Sequence, residues 1–458
     1  MFEKYCGMEA MVDGRLHAIS TRAVLCERQL LSRVAPACRD LFVKEGPVLL
    51  VVDRKTYEVA GAAVEASFAA ASVPTVLCHV LEPAQGAAVA DDANVAHVEQ
   101  ALRAGQFAYG VAIGAGTVND ILKLASDRVG VDYAVVGTAP SMNGFSSALA
   151  AILSKGVKTT VSCHAPLAVF FDVDVMAAAP YRMIASGLGD LLSRAVSIAD
   201  WRLGARLFGE RFNTLPLPLL EDAQRELEGV AQGLPQRSPE AIRGLCNALA
   251  LSGMAMAIAG SSSPASGGEH LISHYLDMVA IAQHEEHDFH GCQVGVASVL
   301  SARFYEWLGE LELEGVDFER LVARHVPWSV YEKTVAQRFS PYNLSHAVLE
   351  HAQKKYPDRP TLRARFAHLR EDWEAIIEEL RQSARSSAWV SEQLSLAQAP
   401  RSFAEIGVSA ARAQNAVLHA KDIRARYTIL DLVSELGLLE SWTEDALAPD
   451  GGLSGEGD

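Results

Sequence analysis

At 458 residues the chain exceeds one ordinary hydrophobic core and suits two large domains or one enzyme-sized unit. Apolar residues make up 50% and charged residues 21%, which excludes an intrinsically disordered protein. The net charge of −16 argues against a nucleic-acid or anionic-membrane binder.

Other exclusions are local. No run of about 20 apolar residues is unbroken by charge or Gly, so no membrane span is expected. The start, MFEKYCGMEA, carries acidic residues and has no signal-peptide core. Seven cysteines are scattered along the chain without a C-x-x-C pair, the pattern of buried thiols in a reducing, cytoplasmic setting.

In chain order, short β-branched runs at 48–52, 74–79, 108–113, 133–137 and 168–173 predict strands. The Ala-rich stretches 55–72 and 92–105 between them have helical spacing. Continuous apolar strands alternating with helices predict an α/β domain with a parallel sheet covered on both faces, over residues 1–180. After Pro180 the segments 182–208, 219–231, 239–260, 290–311, 361–382 and 402–436 are long and helical in period, with Pro, Gly and Ser breaks between them. Residues 181–438 are therefore expected to form a helical domain, and 439–458 a disordered acidic tail.

Two loops follow predicted strands. Gly114-Ala115-Gly116-Thr117-Val118-Asn119-Asp120 combines small residues with a helix start, which suits a phosphate. Thr117 and Asp120 also resemble a capping box, and a tight strand-to-helix turn fits the segment equally well. Thr138-Ala139-Pro140-Ser141-Met142-Asn143-Gly144-Phe145-Ser146-Ser147 brings hydroxyls and an amide to a strand's carboxyl end, the ligand edge of an open parallel sheet. Turn chemistry ahead of a helix is the plain alternative. Asp53 ends the first of these strands, where it suits a ribose hydroxyl or, more simply, the cap of the next helix.

Between residues 261 and 297 lie five histidines: His270, His274, His284, His287 and His290. His270 and His274 are four apart, hence on one helix face, and His290 opens the following helix. Imidazoles converging from two helices suit a divalent metal completed by a carboxylate; the alternative is a solvated histidine-rich loop, the expected setting of His284 and His287. Asp190, within the apolar run Gly187-Leu188-Gly189-Asp190-Leu191-Leu192, is the candidate carboxylate. A helix-start acid favoured by the macrodipole is the competing explanation.

Together VLLVVD, GAGTVNDILK, GTAPSMNGFSSALAAI, GLGDLLS, SGGEHLISH and HGCQVGVA, in this order over residues 46–300, resemble the iron-containing alcohol dehydrogenase and dehydroquinate synthase-like superfamily. Within it the match is to the sn-glycerol-1-phosphate dehydrogenases. The resemblance implies a nucleotide-binding α/β domain followed by a helical domain. It implies one divalent metal, zinc before iron or nickel, on Asp190, His270 and His290. His274, Asp190 and Asn143 would meet the substrate, with Asp190 and His274 catalytic. NAD or NADP would lie along Asp53, Gly114, Ala115, Gly116, Thr117, Val118, Thr138, Ala139, Pro140, Ser141 and Ser147. A carboxylate at Asp53 leans towards NAD, a lean that Arg54 weakens.

The implied reaction is reversible hydride transfer between a phosphorylated polyol and its ketone, catalysed by a homo-oligomer with no nucleic-acid partner. Lys155, Lys158 and Arg194 are candidates for the phosphate. Asn143 stands where these enzymes usually carry Asp, which bears on the substrate accepted. The same superfamily also offers a dehydroquinate synthase-like cyclase or a non-phosphorylated polyol dehydrogenase as alternatives.

Overall fold

The computed structural model describes residues 1–82, 87–154, 157–448 and 453. They form two compact units, one of Met1–Leu191 with Asn213–Ser262 and the other of Leu192–Phe212 with Ser263–Asp458.

The first unit holds every strand among the described residues. These are β1 (Glu9–Val12), β2 (Arg15–Ala18), β3 (Ala23–Glu27), β4 (Val48–Val52), β5 (Thr75–His79), β6 (Tyr109–Gly114), β7 (Tyr133–Gly137), β8 (Leu149–Ser154), β9 (Val157–Ser162) and β10 (Ala168–Asp172). Six of them make a sheet in the order β3-β10-β7-β6-β4-β5, every neighbour parallel. The four inner strands are buried at every residue. Burial on both faces removes any need for alternation, so these strands read as continuous apolar runs. The edge strand β3 carries the mixed pattern AVLCE, and the hairpins β1–β2 and β8–β9 lie outside the main sheet; the expected elements included none of these. Asp13 and Gly14, both at positive φ, make the tight turn of the first hairpin.

The sheet order also defines a switch point. From β4 the chain moves outward to β5, returns to β6 on the other side, and continues to β7 and β10. Ligands of open parallel sheets bind at the carboxyl ends of the two strands flanking such a reversal, here β4 and β6. Asp53 follows the first and Gly114-Ala115-Gly116 the second.

Helices 217–226 and 239–259, expected in the helical half, belong to the sheet-containing unit. This corrects a boundary at residue 180: helical period shows that a segment buries a face, but not what it buries it against. Helix Pro239–Ala259 is apolar and long enough to cross a membrane by length and composition, yet 89% of its most apolar window is buried inside the protein. It packs on helix Leu217–Glu226 and the β2–β3 region as a core element.

The second unit contains only helices and turns among its described residues. Its centre is the pair Gly268–Gln283 and His290–Glu310, packed side by side. The stretch 402–436 is broken into Ala410–His419 and Ile429–Glu435. The acidic tail expected from residue 439 is also corrected. Residues Leu439–Leu447 form a helix with Leu439, Thr443 and Ala446 buried, and the buried Leu453 accepts the Phe403 N–H at 3.0 Å. The acids there mark the outer face of an amphipathic helix. Residues 449–452 and 454–458 of that expected tail lie outside the described residues.

Candidate active site

In the first unit the two glycine- and hydroxyl-bearing loops stand side by side. They follow the adjacent strands β6 and β7, and the Thr138 N–H donates to the Gly114 carbonyl at 3.2 Å. Gly116 begins the helix Gly116–Val129, whose cap residue Ala115 supplies no side chain to its first N–H groups. Thr117 and Asp120 do not form the expected capping box: Thr117 is already inside the helix. Asp120 accepts the Ala151 N–H at 3.0 Å and contacts the Lys123 ammonium at 3.3 Å. Its burial pushes its pKa up, partly offset by Lys123.

Lys123, one turn further on and fully buried, organises the second loop. Its Nζ donates to the carbonyls of Gly144 at 2.8 Å and Leu149 at 2.9 Å, and it reaches Ser147 Oγ at 3.3 Å. Ser147, an expected cofactor contact, has its Oγ 3.0 Å from each of these carbonyls, with one proton to share between them, and so faces the loop interior. The sequence signal for Lys123 was a lone base inside the apolar helical run ILKLA.

The loop is also clamped from outside. The Ser146 hydroxyl donates to the Ala250 carbonyl at 2.6 Å, and the Ser186 hydroxyl to the Ser141 carbonyl at 2.9 Å. A Cβ on Gly187 would lie 1.8 Å from the Pro140 carbonyl oxygen, so only glycine lets helix Tyr181–Leu192 approach this closely. One turn later on that helix, Asp190 Oδ2 accepts the Asn143 backbone N–H at 2.7 Å. Asp190 thus sits in the last turn rather than the first, correcting the helix-start explanation. A buried carboxylate there is opposed by the helix dipole and by desolvation, and favours a cation beside it. Asn143 is buried with its side-chain Nδ2 lacking a protein acceptor. Asp53 makes the plainer of its two expected contacts: Oδ1 accepts the Thr56 N–H at 2.7 Å in a capping box.

In the second unit three histidines converge. His270 and His290 have ring centroids 5.1 Å apart, and His274 stacks on His290 at 5.3 Å. Helix Gly268–Gln283 supplies His270 and His274 one turn apart, and His290 is the first residue of the next helix.

Hydrogen bonding defines the proton on two of the rings. Glu269 Oε1 lies 2.8 Å from His270 Nδ1 and also accepts the Gly267 N–H at 2.7 Å. An ionised carboxylate only accepts, so Nδ1 carries the proton. Around His290, Gln293 Nε2 donates to the Asp288 carbonyl, which turns Oε1 towards Ser273. Ser273 therefore donates to Gln293 and accepts from His290 Nδ1 at 2.9 Å. Both imidazoles are thereby left with a lone pair on Nε2, the form that ligates a metal.

Behind Glu269 lies a second buried acid. Asp200 accepts the Gly268 N–H at 2.7 Å, the Tyr305 hydroxyl at 2.6 Å and the Ile429 N–H at 2.6 Å. Burial and then the neighbouring Glu269 carboxylate push its pKa up to about 7. Arg426, donating to the Ser266 carbonyl, brings positive charge to this acidic group. None of Lys123, Glu269, Asp200, Ser273 or Gln293 was expected as a functional residue from the sequence.

The other histidines separate from this cluster. His284 is exposed at a helix C-cap with φ of 57°, while His287 contacts the buried Asp277 at 3.1 Å. Of the phosphate candidates, Lys158 lies on β9 and Arg194 begins helix Arg194–Phe208; Lys155 is outside the described residues.

Residues 26–180 match the iron-containing alcohol dehydrogenase family. A glycerol-1-phosphate dehydrogenase (NAD(P)+) of Bacillus velezensis is 30% identical over 387 residues, covering 84% of this chain and 85% of that protein. Its counterpart from Methanosarcina mazei is 35% identical over 282 residues, 61% of this chain and 75% of that protein. Among solved structures, a probable glycerol dehydrogenase from Sinorhizobium meliloti shares the fold, with a TM-score of 0.59 at 15% identity over 93% of this chain and 98% of that one. The chain belongs to the iron-containing alcohol dehydrogenase family, in the group of the glycerol-1-phosphate dehydrogenases.

Proposed function

We propose that the chain is a metal-dependent, NAD(P)-linked dehydrogenase that interconverts sn-glycerol 1-phosphate and dihydroxyacetone phosphate. The observation that carries this reading is the pair His270 and His290, 5.1 Å apart with both Nδ1 atoms engaged by protein groups. Asp190 is the third ligand, a buried acid in a setting that favours a cation. Two imidazoles and a carboxylate suit zinc, with iron or nickel compatible.

A metal held by Asp190, His270 and His290 would supply Lewis-acid stabilisation of negative charge on the reacting oxygen, and a bound dinucleotide would supply the hydride acceptor and donor. The chain's own groups orient the reactants. The backbone at Gly114, Ala115, Gly116, Thr117 and Val118 cradles the dinucleotide phosphates at a helix start, beside Thr138, Ala139, Pro140 and Ser141, while Ser147 holds that loop from within. Asp53 holds the adenosine ribose with the carboxylate oxygen not used in its cap, which favours NAD over NADP. The Asn143 backbone N–H fixes Asp190, while its side-chain amide donates to a substrate hydroxyl. His274, one turn from His270, orients a neighbouring hydroxyl and moves the proton. Seven free cysteines support a reducing, cytoplasmic setting.

The test is a substrate panel. Dihydroxyacetone phosphate, dihydroxyacetone and glyceraldehyde 3-phosphate are each offered with NADH and NADPH while reduced-cofactor absorbance is followed. Consumption with dihydroxyacetone phosphate is expected. Reduction of dihydroxyacetone alone, or of none of them, would turn the reading to a non-phosphorylated polyol dehydrogenase or to a cyclase. Asn143→Asp should change the preference among these ketones by about tenfold or less, as one polar contact exchanged for another.

A further inference from the structure

We propose that Glu269 is a positioning residue for the metal centre: it locks His270 in the Nδ1–H tautomer, and its charge strengthens the donor nitrogen on the other side of the ring. The proposal rests on the reading that His270 is a metal ligand.

Glu269 is fully buried, in the first turn of the helix that carries His270. One oxygen, Oε1, serves two donors, His270 Nδ1 at 2.8 Å and the Gly267 N–H at 2.7 Å. The backbone bond holds the carboxylate in place, so the imidazole meets a fixed acceptor. The helix start that carries both is itself secured, because Asp200 takes the Gly268 N–H while anchored to Tyr305 and Ile429. A carboxylate behind an imidazole fixes the ring and raises its basicity as a ligand.

His290 provides an internal comparison. Its Nδ1 proton goes to the neutral Ser273 hydroxyl, which passes its own to the Gln293 amide. The two rings are held in the same tautomer by different means, one with a charge and one without. Glu269 should therefore contribute more to metal affinity than Ser273. If it were only a helix-start acid favoured by the dipole, removing its charge would leave the metal untouched.

The experiment measures Zn²⁺ affinity of the full chain by chelator competition, and the absorption bands of the Co²⁺-substituted protein. The variants are Glu269→Gln, Glu269→Ala, Ser273→Ala and His270→Ala. Glu269→Ala should weaken Zn²⁺ binding roughly 10- to 100-fold and shift the Co²⁺ bands. Glu269→Gln keeps the acceptor and loses the charge, so it should fall between wild type and Glu269→Ala; Ser273→Ala should weaken binding less than Glu269→Ala. Wild-type affinity and unshifted bands in Glu269→Gln overturn the proposal, and that variant decides alone if Glu269→Ala shows no cooperative unfolding. Metal retained in His270→Ala would instead overturn the ligand assignment. Metal lost in His270→Ala but held normally by the Glu269 variants would overturn only the positioning role.

Discussion

The loop region of the first unit and the histidine cluster of the second are built by different physics. In the first unit, the loop Thr138–Ser147 is shaped by backbone contact: a glycine lets a helix touch the Pro140 carbonyl, and one buried ammonium gathers the carbonyls of Gly144 and Leu149. In the second unit, the imidazoles are oriented by side chains, Glu269 for His270 and Ser273 with Gln293 for His290. Added volume, or loss of the one buried ammonium, is therefore the hazard in the first region. In the second it is a change of charge or proton.

Three changes put that contrast at risk, from the largest expected effect to the smallest. Gly187→Ala brings a Cβ against backbone rather than a yielding side chain. It should cost about 3 kcal/mol or more in urea unfolding. An unchanged midpoint would break the view that close approach shapes this loop. Lys123→Met strips a donor from the two loop carbonyls and should cost about 1–3 kcal/mol. It should raise the dinucleotide KM while Zn²⁺ content stays at the wild-type level. A parallel fall in Zn²⁺ would mean that the two regions are not separately built.

The smallest effect is in pH dependence. His419, in the second unit, has its pKa lowered to about 4 by burial and then by Arg338, from an ordinary value of 6.5. Its neutral form stabilises the fold fully above the unfolded value, and that contribution is lost as pH falls from about 6.5 towards about 4, where only the unfolded chain takes up the proton. Between about pH 7.5 and about pH 5, His419→Gln should lose less stability than wild type in paired unfolding curves. An equal loss in both would show that this half-buried ring is not a source of acid sensitivity.

Much of this was legible from local pattern. The inner strands announced themselves as unbroken β-branched runs, because burial on both faces leaves no polar side. The edge strand β3 did not, since a half-exposed pattern of five residues has no distinctive period. Asp13-Gly14 is a hairpin signal without apolar alternation on either side, because its flanking strands are half polar. His270 and His274 were read from a spacing of four because helical geometry alone brings such residues to one face. Glu269 in the run SGGEH has no role legible from spacing, since nothing there tells whether its carboxylate meets water or the neighbouring ring.

Periodicity and the order of motifs were thus enough to define the α/β character, the histidine helix and the family: the first two depend on neighbours within a few residues, and the third on short motifs each complete in itself. The allocation of helices 217–259 to the sheet-containing unit, the burial of the Leu439–Leu447 segment, the place of Asp190 at a helix end, and the proton positions on His270 and His290 were settled only by the fold. Each depends on which distant surface covers a residue or which partner reaches it, a matter of long-range packing that no local pattern encodes.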